Sequence, residues 1–187
     1  MRAILLLTFA ALALAACKED EAVNLPEPVE LSTEAVGYYC QMDLLEHAGP
    51  KGQIHLAGMP APIFFSQVRD AIAYLHMPEQ SHAVLATYVQ DMAGAASWER
   101  PAGWIAVAEA VYVVGSERMG GMGAPEFVPF SDIAGAEAFM AGHGGAIRRF
   151  DEITAADVLT TDTPPTDTAE GDMAERLRAL SGARGSH

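Results

Sequence analysis

Cys40 and Met42 stand two positions apart in Tyr38-Tyr39-Cys40-Gln41-Met42, and His47 follows five residues later. A thiolate and a thioether are soft donors that suit a soft monovalent metal, Cu(I) above all, better than hard cations that seek oxygen. A neutral imidazole tolerates copper or zinc. The chain holds two cysteines, and Cys17 is expected to carry a lipid, as argued below, so Cys40 has no partner within the chain. In an oxidising compartment an unpaired thiol serves as a metal ligand, as half of an intermolecular disulfide, or as a small buried hydrophobe. Met42 and the two tyrosines beside Cys40 favour the first.

Other soft donors must be sorted from packing residues. Nine methionines are present, and methionine ordinarily fills irregular gaps in a core. Met59, Met77, Met92 and Met140 read as fillers or surface residues, and Met173 belongs to the tail. Met119 and Met122 differ, because the run from Gly115 to Pro125 is too rich in glycine to hold a helix and offers little core to fill. Gly120-Gly121-Met122-Gly123 lacks the Lys-Ser/Thr of a phosphate-binding loop. His143, in Gly142-His143-Gly144-Gly145, reads as a helix end; His55, His76 and His82 read as structural, and His187 closes a Gly-Ser-His tail. The candidate metal ligands are therefore Cys40, Met42, His47, Met122 and Met119, and no residue is singled out as catalytic.

The leader sets the topology. Arg2 precedes an apolar run from Ile4 to Leu14 that is too short to span a bilayer, and Leu14-Ala15-Ala16-Cys17 has the form of a bacterial lipobox. Residues 1–16 are expected to be removed as a signal peptide, with Cys17 lipidated. Residues 17–33 then read as a flexible spacer, given their prolines, acids and lack of apolar periodicity. The formal charge is −14, and losing Arg2 with the leader takes it to −15, since −14 − 1 = −15. That balance excludes nucleic-acid binding, which needs Lys and Arg patches. It also leaves the anchoring to the lipid.

The folded part carries an internal echo. Ile63-Phe64-Phe65-Ser66 and Val128-Pro129-Phe130-Ser131 each join a short β-prone piece to a segment with helical apolar spacing, with the serine placed as N-cap. Each helix is followed by a strand-like run, 83–89 in the first case and 146–150 in the second, and each half opens on another, 36–40 and 104–114. The predicted fold is α+β: two similar ββαβ lobes, an internal duplication, over 34–95 and 96–155. Residues 156–187 form an acidic, Pro-rich tail that is mostly disordered, with a short amphipathic piece at Met173–Leu180. If the lobes are related by a pseudo-twofold, the loop holding His47 faces the loop holding Met119 and Met122.

Cys40-Gln41-Met42, Gly49-Pro50-Lys51-Gly52-Gln53-Ile54, Met119-Gly120-Gly121-Met122-Gly123, Pro129-Phe130 and the stretch from Phe139 to Gly145, in that order and behind a lipoprotein signal, resemble the NosL family. The likeness covers roughly residues 36–153. It implies a pair of ββαβ lobes and a periplasmic lipoprotein, lipid-anchored to a membrane, with the outer membrane as the expected attachment. It further implies binding of Cu(I) and its delivery to nitrous oxide reductase, in concert with a membrane ABC-type transporter complex, during metal-centre assembly. The family's Cys-x-Met pair maps onto Cys40 and Met42 and its loop methionine onto Met122, with Met119 competing; His47 is taken by proximity. Two other classes stand beside this one. A metal-free interaction lipoprotein would use Cys40 as core. A cysteine-dependent enzyme on a scaffold similar to organomercurial lyase would need further cysteines that the chain lacks.

Overall fold

A computed structural model describes residues 25–80 and 82–159; the expected signal peptide, Cys17 and the tail beyond Leu159 lie outside the described residues. Ten regular elements follow one another: β1 (Gly52–Leu56), β2 (Ile63–Phe65), α1 (Val68–His76), β3 (Val84–Gln90), β4 (Trp104–Ala106), β5 (Val111–Val114), β6 (Val128–Phe130), α2 (Ile133–His143), β7 (Ala146–Arg149) and α3 (Ala155–Leu159). Two antiparallel sheets result, ordered β2-β1-β3-β4 and β6-β5-β7. Within each, strand, strand, helix, strand recur in the same order, so the expected α+β fold of two similar ββαβ units is observed. No helix among the described residues is long and apolar enough to cross a membrane.

The first strand of the first unit is not where apolar alternation placed it. Residues 36–40 form turns, whose only strand-type pairings are isolated bridges from Val36 to Asp43 and from Gly37 to Phe64. The central strand is instead β1, whose Gly-Gln-Ile-His-Leu sequence looks like a loop but is buried at every position. It is tolerated inside because its polar groups are satisfied: Gln53, fully buried, exchanges two hydrogen bonds with the backbone of Val29, at 2.8 and 3.0 Å, and its Oε1 meets His55 Nε2 at 3.2 Å. A Cβ at Gly52 would lie 2.5 Å from Ala71 Cβ, so glycine is what lets α1 press onto this strand.

The same contacts revise the spacer. Its second half is laid along the first sheet, since Val29 pairs with Gln53 and the Tyr88 hydroxyl donates to Pro26 O at 2.8 Å. The single run expected over 104–114 is split: β4 completes the first sheet beside β3, a turn closes with Glu109 N on Ala106 O, and β5 becomes the centre of the second sheet. At the other end, α3 extends ordered structure into the segment assigned to the tail and inserts Val158 into the core.

Both helix starts fall one residue later than expected, at Gln67 and Asp132 instead of Ser66 and Ser131. Asp132 caps its own helix by accepting from Gly135 N at 2.7 Å. Gln67 does not cap α1. That duty falls to Glu126, from the second unit, whose Oε1 accepts from Arg69 N at 3.0 Å. Three apolar clusters support the arrangement. Ile54, Leu56, Ile63, Phe65, Ala71 and Tyr74 fill the first unit. Val113, Val128, Phe130 and Ala136 fill the second. The third contains Val68, Ile72, Val89, Val107, Tyr112, Phe127 and Val158, and joins the two.

Candidate metal centre

Cys40 and Met42 sit in a tight turn whose own backbone bonds set its shape. Gly37 N donates to Met42 O at 3.0 Å and Gln41 N to Gly37 O at 2.8 Å. Gln41 adopts a positive φ of 55°, an uncommon conformation for a residue with a side chain. Its amide nitrogen offsets the cost by donating to the carbonyls of Tyr38, at 2.7 Å, and Gly37, at 3.3 Å. The turn is fastened to the sheet edge where Tyr38 N donates to Phe64 O at 2.7 Å. Asp43 then caps a single 3₁₀ turn, Leu44–Glu46, by accepting from Leu45 N, and the fully buried Leu44 anchors it. His47 is delivered at the end of that turn.

The glycine-rich loop approaches from the second unit as a small hairpin. Met119 bridges to Pro125, Gly120 N donates to Ala124 O at 2.8 Å, and Gly123 N donates to Gly120 O at 2.9 Å. Met122 N donates to Gln67 Oε1 at 3.2 Å. A Cβ at Gly121 would come within 2.6 Å of Ser66 O and 2.8 Å of His47 Cβ, so the backbone itself packs where a side chain would otherwise stand.

Ser66 is the meeting point: Cys40 Sγ lies 3.9 Å from its hydroxyl, and Gly121 lies on its carbonyl. Cys40 is a free, half-buried thiol, and Met42, Met122 and Met119 are exposed. His47 Nδ1 is 2.9 Å from Gly121 O. A carbonyl only accepts, so Nδ1 carries the hydrogen and neutral His47 presents Nε2 as a bare lone pair. That Nε2 is buried and has no hydrogen-bond partner. The turn with Cys40 and Met42, His47, and the loop with Met122 thus converge from three segments. Met119 stands at the base of the hairpin, bridged to Pro125.

Two buried titratable groups lie behind the loops. Glu126 is fully buried; Oε1 accepts from Arg69 N and Phe127 N, while Oε2 has no partner. Burial pushes its carboxyl up to about 8, against the downward pull of the backbone donors, so it is mostly neutral below that pH. Lys51 donates from Nζ to His47 O at 2.7 Å and Gly49 O at 2.5 Å, and burial pulls its ammonium down to about 8, opposed by Glu126. By sequence Ser66 reads only as a helix N-cap, and Gln67, Lys51 and Glu126 do not stand out as site residues. Ser66, Gln67 and Glu126 act through long-range contacts that leave no local pattern, whereas Lys51 binds carbonyls two and four residues before it.

Among the described residues no group of three or more His, Cys, Asp or Glu side chains is disposed to hold a metal ion. The donors that the turn and the hairpin do offer are the sulfurs of Cys40, Met42 and Met122 and the imidazole of His47, a set that suits a soft ion better than calcium or magnesium.

Residues 28–158 match the sequence profile of the NosL family. The chain is 54% identical over 181 residues to the copper-binding lipoprotein NosL of Achromobacter cycloclastes, covering 93% of each. It is 33% identical over 156 residues to the copper-binding lipoprotein NosL of Stutzerimonas stutzeri, covering 81% of this chain and 80% of that one. The crystal structure of the copper chaperone NosL from Shewanella denitrificans is similar in fold, with a TM-score of 0.65 at 34% identity, covering 70% of this chain and 98% of that chain.

Proposed function

The chain belongs to the NosL family, and from that premise we propose that it is a periplasmic, lipid-anchored copper chaperone that binds Cu(I) and passes it to nitrous oxide reductase during assembly of that enzyme's metal centres. A membrane ABC-type transporter complex takes part in the hand-over, and Cys17 carries the lipid, with the outer membrane as its attachment. The copper is cargo and no turnover of substrate is involved.

Cys40 supplies the thiolate, the one charged donor, and releases its proton as the metal binds. Met42 adds a thioether from the same turn, and Met122 a second from the facing loop, with Met119 as the alternative loop donor. His47 supplies Nε2. The observation that supports this reading is the Gly121 carbonyl on His47 Nδ1, which ties the imidazole to the loop that bears Met122 and leaves Nε2 buried without a hydrogen-bond partner. Ligands on two separable loops, with the methionines exposed, leave an open side where a recipient's donor can enter before the first donor leaves.

Competition for Cu(I) with a chromophoric chelator under reducing conditions tests the proposal. Cys40→Ala is expected to lose more than the roughly 100-fold that marks the upper end for outer-shell changes. Met42→Ala is expected to lose less, and Met122→Ile less again. Unchanged affinity in both Cys40→Ala and Met42→Ala would eliminate the chaperone assignment and leave a metal-free interaction lipoprotein. Cells carrying Cys40→Ala should also yield nitrous oxide reductase with depleted copper; full copper loading there counts against this recipient.

A further inference from the structure

The junction between β2 and α1 touches both halves of the candidate centre. Ser66 and Gln67 are adjacent in sequence, and both are buried. The Ser66 hydroxyl lies 3.9 Å from Cys40 Sγ, and Gln67 Oε1 accepts from Met122 N at 3.2 Å. One step along the backbone thus separates the residue beside the thiol from the residue that holds the loop thioether.

Gln67 stands at the N-cap position of α1 yet makes no side-chain cap. Glutamine is outside the residues preferred there, and Glu126 takes the duty instead by accepting from Arg69 N at 3.0 Å. The Gln67 amide is therefore free for another contact, and its orientation is set from behind. Its Nε2 donates to Asp70 Oδ1 at 2.8 Å. An ionised carboxylate only accepts, so the nitrogen faces Asp70 and the oxygen faces the hairpin, where it meets a backbone N–H. The hairpin lies along the whole of this side chain: a Cβ at Gly120 would come within 2.6 Å of Gln67 Oε1 and 2.7 Å of Gln67 Cβ. Gly121 then packs on Ser66 O, and Met122 follows it. Met119 precedes these contacts and is exposed, bridged to Pro125 within the hairpin itself. Of the two loop thioethers, Met122 is the one whose backbone is bound to the first unit.

We propose that Gln67 is a positioning residue for the copper site: it fixes the Met122 backbone relative to Cys40, and so makes Met122, not Met119, the thioether that the second unit presents. The proposal rests on the Cu(I)-binding reading above. Gln67 touches no metal. It removes freedom from a loop that its glycines leave pliant, so that the entropy of ordering Met122 is lost on folding and not on copper binding.

Two measurements on the full chain test it. In the copper-free protein, the Met122 amide is expected to exchange with solvent deuterium severalfold more slowly in wild type than in Gln67→Leu. Gly120→Ala keeps the glutamine but presses a methyl group on its amide oxygen; it is expected to lose the same protection, and serves where Gln67→Leu does not fold. In competition for Cu(I), Gln67→Leu should weaken binding roughly 2- to 10-fold, the range for one hydrogen bond, and should cost nothing further in a Met122→Ile background. A merely structural role at the start of α1 predicts the same loss in both backgrounds, and that result overturns the proposal. Equal Met122 exchange rates in wild type and Gln67→Leu overturn it too. Wild-type affinity in Met122→Ile would also overturn it while leaving Cys40 and Met42 as ligands. Failure of the chaperone reading shows instead at Cys40→Ala and Met42→Ala, apart from the amide exchange of the copper-free chain.

Discussion

The two ββαβ units share strand order but divide the chemistry unequally. The first carries the thiol, its neighbouring thioether and the imidazole on a turn and a 3₁₀ segment that precede its first strand, and it is extended by β4. Those preceding segments have no counterpart in the second unit, whose contribution is a glycine-rich hairpin between β5 and β6 with two exposed methionines. The helices differ in the same sense. α1 buries six residues and is capped by Glu126 from the other unit, whereas α2 buries only Ala136 and is capped by its own Asp132. On the proposed ligand assignment the first unit holds the metal and the second closes over it, so that neither makes the site alone.

The largest effect expected from breaking this division is at Gly121. Gly121→Ala puts a methyl group against Ser66 O and His47 Cβ, and since backbone cannot yield as a side-chain tip does, about 1–3 kcal/mol of stability is expected to go. Urea unfolding would register it, together with reduced Cu(I) affinity. A fully stable Gly121→Ala protein would mean that the hairpin is not seated on the first unit.

The pH dependence probes the buried charges between the units. Glu126 rises from 4.5 to about 8 on folding, so the folded form binds the proton more tightly and stability falls as pH climbs between those values. Lys51 drops from 10.5 to about 8, so the folded form releases its proton earlier and stability recovers between 8 and 10.5. The two contributions together place a minimum near pH 8. Glu126→Gln should flatten the descending limb and start the ascending one at lower pH, because the carboxylate that raises the Lys51 ammonium is gone; an unchanged descending limb would remove Glu126 as its source.

The smallest effect concerns capping. Asp132→Ala should cost about 1 kcal/mol, while Ser131→Ala should stay within about 0.5 kcal/mol, because the exposed serine is not the cap. Equal effects at the two positions would restore the serine as the start of α2.

The repeat was legible because two helices and the strands around them obey local rules, and Phe-Ser fell next to a helix start in both halves. β1 was not, since its glycine, glutamine and histidine are buried only because Val29, far away in sequence, satisfies Gln53. Residues 36–40 failed in the opposite direction: aromatic and β-branched residues suggested a strand, but Gly37 and the positive φ at Gln41 make a turn. At the candidate centre, donor types and spacing pointed to Cys40, Met42 and His47 directly. The support beneath them, Ser66, Gln67 and Glu126, depends on tertiary contacts that no short window of sequence contains.

The pairing of Val29 with Gln53 and of Pro26 with Tyr88 fixes the height at which this molecule works. With a lipid on Cys17, only the nine residues from there to Pro26 separate the body from its anchor, and fully extended they reach about 30 Å. On the proposed lipidation of Cys17 the body would sit just above the bilayer, and on the proposed chaperone role copper would be collected or surrendered only within a shallow layer over that surface.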